Sequence, residues 1–354
     1  MSETASTVLP SASPPLHSSW TVRGINVPNF SAFQPKNIRV TSSGSLLRAL
    51  WSCDGKKVAV CGTEKLARLW VPEKSFDIRN TIALSNGHTE IVDSCAWNPT
   101  HPELLCSASS KDMRIVFWDA RTKTPLQTVS LKPRQPVDVK YSPNGRVLAV
   151  LDKANFIVFL TLERKEDGKD HWVLSQERVK GHNESETEVI SFVWNHPGDC
   201  LILGEKAGLL TYVTYPELAF GTSSGAHMGG ATCIAIDPRG KYIATCGPDS
   251  IVNLFDIASW RVSRSLDCTE DVVNDIDFSF DGEFLAIAFA SSLEIWAVET
   301  GECLHKVTSP NTPCRTVSWH PWKYVLAFGG QSFQDPTPNT RSQPQAAMLS
   351  FFGL

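Results

Sequence analysis

The 354-residue chain has no surplus of positive charge, no metal-binding cysteine pair and no apolar run long enough to cross a bilayer. Each absence closes off a class of function. Its 33 Lys and Arg stand against 37 Asp and Glu, a formal charge of −4. Proteins that hold nucleic acid mainly through phosphates carry a basic excess instead, so RNA contact is expected to be weak or indirect. The short basic pairs Lys56-Lys57 and Arg164-Lys165 are flanked by acids and read as solvated turns. Ten cysteines form no Cys-x-x-Cys and none sits at zinc spacing from a histidine, so neither a metal nor a cofactor is expected. The longest apolar run, Phe284–Ala290, falls far short of the roughly 18–20 residues a membrane span needs. The N-terminus lacks the charged and apolar regions of a secretory signal, so a soluble intracellular protein is the expectation. There is no phosphate-binding loop, dinucleotide fingerprint or His-Glu-x-x-His.

What the chain does contain is one pattern repeated seven times. An aromatic or apolar anchor precedes a tight turn, and a β-rich stretch follows. The anchors are Trp51, Trp97, Tyr141, Trp194, Ile236, Phe278 and Trp319, separated by 46, 44, 53, 42, 42 and 41 residues. A period of about 40–45 residues is the signature of a propeller with four strands per blade. The expected fold is therefore all-β, a seven-bladed WD40 β-propeller over residues 36–354, preceded by a Ser/Thr/Pro-rich disordered tail over 1–35. The last repeat is short of material, so residues 36–43 are expected to supply its missing strand and close the ring, which removes exposed sheet edges. Two stretches break the rhythm: 161–188, and the Gln/Pro/Thr-rich 331–345, expected to be a mobile loop.

Seven innermost strands are expected to end at the anchors. Cys61, Cys106 and Cys246 fall nine or ten residues later, as small buried hydrophobes of an inner strand. Trp172, Trp260 and Trp322 lie outside the anchor positions and read as ordinary blade packing.

The second repeat holds the fullest set of polar marks: His88, Ser107 or Ser109, Asp112 and Trp118-Asp119. A histidine between blades can join a hydroxyl and an aspartate while an indole N–H completes the network, a structural role that requires every member to be satisfied. The fifth repeat offers His227, Thr245 and Asp249, and the fourth has Gly181-His182 without the aspartate. Gly221-Thr222-Ser223-Ser224-Gly225 matches Gly-x-Ser-x-Gly, but a nucleophile elbow needs a strand before it and a helix after it. An inter-blade loop is expected there, and no catalytic residue is assigned. Residues three or four before the anchors belong to the rim of one face. Arg48, Asp93, Asp138, Asn274, Asp275 and Arg315 are charged or polar where a purely structural strand would be apolar, which marks them as candidate partner contacts.

The repeats resemble the WD40 family. Within it, TYPELAF (214–220), RGKYIATCGPDSIVNLFDI (239–257), FSFDGEFLAIA (278–288), VETGE (298–302), TVSWHP (316–321) and the terminal FFGL are similar to the third-subunit family of the THO complex. That resemblance implies a non-enzymatic nuclear propeller of the transcription–export assembly. It implies a large helical scaffold subunit and other THO and export subunits as partners, with a role coupling transcription to mRNA processing and export. The fold is equally compatible with an adaptor of another assembly, such as a ubiquitin-ligase substrate receptor or a histone or chromatin binder.

Overall fold

The computed structural model describes residues 28–354 except 42–43, 166–167, 169, 180–187, 268–271, 291, 309–313, 332–345 and 354. Its regular structure is seven antiparallel sheets of four strands, with two single-turn 3-10 segments, Phe30–Ala32 and Ile78–Asn80, and no α-helix among the described residues. Six sheets are meanders of four consecutive strands. The blades are numbered here from the first full repeat. Their innermost strands are Leu46–Trp51, Ser94–Trp97, Pro136–Tyr141, Val189–Trp194, Cys233–Ile236, Val273–Phe278 and Thr316–Trp319. Each packs beside the innermost strand of the next blade, and that of blade 7 returns to that of blade 1, so the sheets form a closed ring.

The turn after the innermost strand shows how local chemistry repeats. In blades 1, 3 and 6 a serine hydroxyl donates to a carboxylate or amide oxygen two residues on, at 2.7 Å: Ser52 to Asp54, Ser142 to Asn144, Ser279 to Asp281. The same hydroxyl accepts the backbone N–H that opens the second strand, at 3.0 Å from Lys57, Val147 and Phe284. The reversal requires a left-handed residue, and Gly55, Gly145 and Gly282 supply it at φ of 68, 70 and 70°.

Blade 7 is closed by the N-terminal strand Lys36–Arg39, which pairs antiparallel with the C-terminal strand Ala347–Phe352, Ile38 opposite Leu349. The approach to this strand is itself ordered, which corrects the assignment of all of 1–35 to a tail. Phe30 is 4% exposed, and its ring meets Phe284 edge-on with centroids 5.1 Å apart. One aromatic in a Ser/Pro-rich stretch is enough to seat the segment, and averaged composition does not register it. Residues 1–27, Gly181-His182 and nearly all of the 331–345 stretch lie outside the described residues.

The first rhythm-breaking stretch is partly an extended hairpin. Blade 3 has a third strand Ile157–Arg164 and an outer strand Asp170–Val179, and Trp172 on the latter stacks flat on Phe117 of blade 2, 4.6 Å between centroids. The Gln127 amide accepts from the Trp172 N–H and donates to its carbonyl, both at 2.8 Å, imitating a strand pairing between the blades. Trp260 is also buried, whereas Trp322 is 65% exposed in the turn of blade 7 and is not part of the packing. The Gly-x-Ser-x-Gly match is not a loop: it lies in the outer strand Phe220–Gly225 of blade 4, where the Ser223 and Thr211 hydroxyls are 2.7 Å apart. The tight turn before it lets the strand begin earlier than composition suggests, and no helix follows.

The buried apolar residues divide into seven clusters, each drawn from two neighbouring blades. Anchors also tie blades by hydrogen bonds. The Trp97 indole N–H donates to the Leu50 carbonyl of blade 1 at 3.0 Å, and that of Trp194 to the Lys140 carbonyl of blade 3 at 3.1 Å.

Ile38 is 8% exposed within the cluster shared by blades 7 and 1. Ile38→Asp places a carboxylate in that cluster and is expected to destabilise the protein by about 2–4 kcal/mol. Urea unfolding checks this; an unchanged midpoint removes the closing role of the first strand.

Candidate functional site

The innermost strand of each blade is an edge of its sheet, so its outward N–H and C=O groups face the channel with no strand to pair them. Side chains of the adjacent blade meet part of that demand. On blade 6, Asp275 accepts the Val317 N–H at 3.1 Å and Asp277 the Trp319 N–H at 2.7 Å. On blade 7, the Thr316 and Ser318 hydroxyls accept the N–H groups of Ala49 and Trp51 at 3.4 and 3.5 Å. The donors are an anchor and the residue two before it. The acceptors sit one and three before the anchor of the preceding blade.

The positions three before the anchors carry Arg48, Ser94, Asp138, Ser191, Cys233, Asp275 and Thr316. Register shifts at Leu46/Arg48, Pro136/Asp138, Val189/Ser191 and Val273/Asp275 mark bulges in four of these strands, a device that re-aims side chains. Arg48 reaches two other blades, with Nη2 3.3 Å from Asp138 and Nη1 3.8 Å from Asp275. Ser94 donates to Asp138 at 2.9 Å. Lys140 lies one step deeper and donates to the Phe192 carbonyl at 2.7 Å.

The electrostatics follow these distances. Burial pushes the Asp138 carboxyl up, but Arg48 and then Lys140 outweigh it, and the net shift is downward. Burial dominates at Asp275, where Arg48 is farther, and its carboxyl is raised. Asp277 has no close cation. Burial pushes it up to about 7, with the Trp319 N–H only partly offsetting that. Asp138 foremost holds Arg48 firmly charged.

Above this layer is a polar cavity of about 570 Å³ at the channel mouth, lined in part by Arg48, Asp93, Asn274, Arg315 and Gln331. The structure thus gathers the six candidate contacts around one opening but gives them unequal freedom. Arg48, Asp138 and Asp275 are tied together across the ring, Asp93 accepts the Ser110 N–H at 2.6 Å, and Asn274 donates to the Cys314 carbonyl at 2.9 Å. Arg315 is exposed. Lys140 and Asp277 were not singled out by the sequence, although the alternations Asp138-x-Lys140 and Asp275-x-Asp277 on innermost strands are signals that could have found them.

The second set of sequence-predicted residues lies farther out, between strands of blades 2 and 5. His88 Nδ1 is 2.9 Å from Asp112 and Nε2 2.8 Å from the Ser107 hydroxyl, which also accepts the Trp118 indole N–H at 2.8 Å. His227 stands 3.0 Å from Asp249 and 2.9 Å from Thr245. Ser109 plays a lesser part, accepting the Asp112 N–H at 3.4 Å. Both histidines are enclosed within their blades, with ring nitrogens committed, and have no open approach for a substrate. No group of three or more His, Cys, Asp or Glu suited to a metal occurs among the described residues. Burial pushes the Cys106 and Cys314 thiols up, away from the reactive thiolate.

Comparison with known proteins agrees with this geometry. The family model described as WD domain, G-beta repeat matches residues 79–119 and 221–256. Over 295 residues the chain is 30% identical to THO complex subunit 3 of Arabidopsis thaliana, covering 82% of this chain and 87% of that protein. It is 21% identical over 277 residues to Protein TEX1 of Saccharomyces cerevisiae, covering 75% of this chain and 64% of that protein. Among solved structures, the Cps50 (Swd1) β-propeller domain of Myceliophteria thermophila superposes with a TM-score of 0.70 at 17% identity, over 89% of this chain and 98% of that one, a likeness of fold.

Three outcomes are expected. His88→Ala strands a buried hydroxyl and carboxylate and lowers stability by about 1–3 kcal/mol; an unaltered melting temperature refutes the network. Arg48→Ala leaves Asp138 and Asp275 uncompensated and, with Arg48 32% exposed, lowers stability by roughly 1–3 kcal/mol, measurable by denaturant titration. Folded Asp277 keeps its proton up to about pH 7, while the unfolded chain releases it near the ordinary 3.8. Its contribution to stability is therefore fully present below pH about 4, declines as pH rises to about 7, and is flat above. Asp277→Asn should stabilise the protein by roughly 1–3 kcal/mol at pH about 8 and by much less at pH about 4. Equal effects at both pH values rule this out.

Proposed function

Because the chain belongs to the WD40-repeat family that includes THO complex subunit 3, we propose that it is a non-enzymatic propeller subunit of a THO-type transcription–export assembly. In this reading it acts in the nucleus and couples transcription to mRNA processing and export by docking other proteins. The observation that carries the reading is the 30% identity over 295 residues, since WD-repeat proteins of other names that align over a similar length do so at only 20–26% identity. The family's propellers are typically scaffolds without catalysis, and the ring nitrogens of His88 and His227, committed to hydrogen bonds within the fold, fit that role.

The mechanism is rigid display. Turns and loops from several blades are held on a ring whose inner edge is cross-tied, so little entropy is lost in ordering them when a partner binds. The channel mouth contributes Arg315, Asn274 and Asp93 as contacts, while Arg48, Asp138 and Asp275 act behind them by fixing the ring. The large helical scaffold subunit is the expected partner, and RNA contact is weak or made through neighbours.

Affinity purification of the tagged full chain from nuclear extract, with and without nuclease, tests the assignment. Nuclease-resistant recovery of a large helical scaffold with export factors is the expected result. Recovery of cullin adaptors or of histones in its place assigns the propeller to another assembly.

A further inference from the structure

Three turns and one strand end of blades 2 and 3 bring together basic residues scattered between positions 111 and 178. Leu131 N–H donates to the Met113 carbonyl at 2.8 Å, which sets Lys132 beside the turn that holds Lys111 and Arg114. Lys153 N–H donates to the Gln135 carbonyl at 2.9 Å, and Arg134 pairs with Asp152 at 3.3 Å, which sets the Lys153 turn against the same loop. Arg178, opposite Val158 at the end of the outer strand of blade 3, lies over the Phe156 ring at 4.6 Å. The three turns and the end of that strand lie on the face that bears the channel mouth.

The described acids among them are engaged. Asp112 holds His88, the Asp152 carboxylate holds Arg134 and the backbone N–H groups of Ala154 and Phe156, and Asp93 holds the Ser110 N–H; Glu90 leans toward Lys65. Among the described residues, none of the ion pairs involves Lys111, Arg114, Lys132, Lys153 or Arg178, and Lys111, Lys132, Lys153 and Arg178 are exposed. This is a concentrated positive surface on a chain whose formal charge is −4.

We propose that this face of blades 2 and 3 is a docking surface for an acidic, Asp/Glu-rich protein segment. Like-charged side chains on one surface repel one another, and an incoming row of carboxylates relieves that while gaining charge-assisted hydrogen bonds. Two observations favour carboxylates over an RNA strand. Surfaces that hold single strands pair charge with exposed aromatic platforms, whereas the ring found here among the described residues, Phe156, is half-buried beneath Arg178. Outside the patch the molecule carries a net negative charge, which disfavours a long polyanion more than a short one. A short acidic segment fits the compact area. The surface adjoins the channel mouth at Asp93 and holds whichever assembly the propeller joins.

The test is fluorescence anisotropy with the full chain, a labelled alternating Asp/Glu peptide of about a dozen residues and an oligouridylate of equal charge. The wild-type protein should bind the peptide at about 50 mM salt and lose it at about 300 mM. Lys111→Glu/Lys132→Glu/Lys153→Glu should weaken binding about tenfold or more, and the milder Lys111→Gln/Lys132→Gln/Lys153→Gln set should act in the same direction. Lys56→Glu/Lys74→Glu, on the opposite face, should change nothing. Circular dichroism melting confirms that each variant is folded. Equal peptide binding by the wild type and the triple variants overturns the proposal. So does tighter binding of the oligouridylate than of the peptide with loss in the same variants, which makes the surface a phosphate reader.

Discussion

A single four-stranded blade has two greasy faces and cannot cover either. Everything else in this protein depends on that constraint. Each of the seven clusters of buried side chains is shared between neighbours, so no blade owns a core and no blade is stable on its own account. A row of such sheets still leaves two bare faces at its ends, and only a closed circle removes both. The inter-blade indole bonds from Trp97 and Trp194 and the Gln127 clasp on Trp172 are secondary ties on a structure that burial has already shaped.

Closing the circle creates a second problem at its centre. Seven edge strands point unpaired backbone groups into one narrow passage. Carboxylates and hydroxyls one and three residues before the anchors answer this across the junctions of blades 6, 7 and 1. Carboxylates are strong acceptors, but gathering several in a desolvated passage raises the free energy of their charged forms. Arg48, spanning to Asp138 and Asp275, offsets that for two of them, while Asp277 remains without a close cation. The charged lining is thus first a consequence of geometry, and its upper rim is what remains free for recognition.

Much of this was legible in the sequence because the repeat states it seven times. The anchors, the glycine turns at Gly55, Gly145 and Gly282 and the supply of the closing strand by residues near 36 all follow from period and turn chemistry. The His88 and His227 sets were legible because their members recur at fixed offsets. What was not legible depends on contacts between blades. The sequence shows Arg48, Asp138 and Asp275 as equivalent rim positions but not that a bulge and a long guanidinium join them across the passage. It shows Lys111, Lys132 and Lys153 as isolated charges, since only the turn hydrogen bonds bring them side by side. Phe30 and Trp322 broke expectation in opposite directions, one aromatic buried within a polar stretch and one exposed at a site of regular packing.

The pairing of Lys36–Arg39 with Ala347–Phe352 has a consequence for biogenesis. Synthesis is vectorial, so the first strand leaves the ribosome almost the whole chain before its mate exists. Through that interval the nascent protein carries an unlatched end at each extremity, and edges of that kind recruit foreign strands. Closure of the ring waits until Ala347–Phe352 has been made and is free to thread between blade 7 and its waiting partner. A stop codon just ahead of position 347 would therefore leave nearly every blade translated and none of the circle locked.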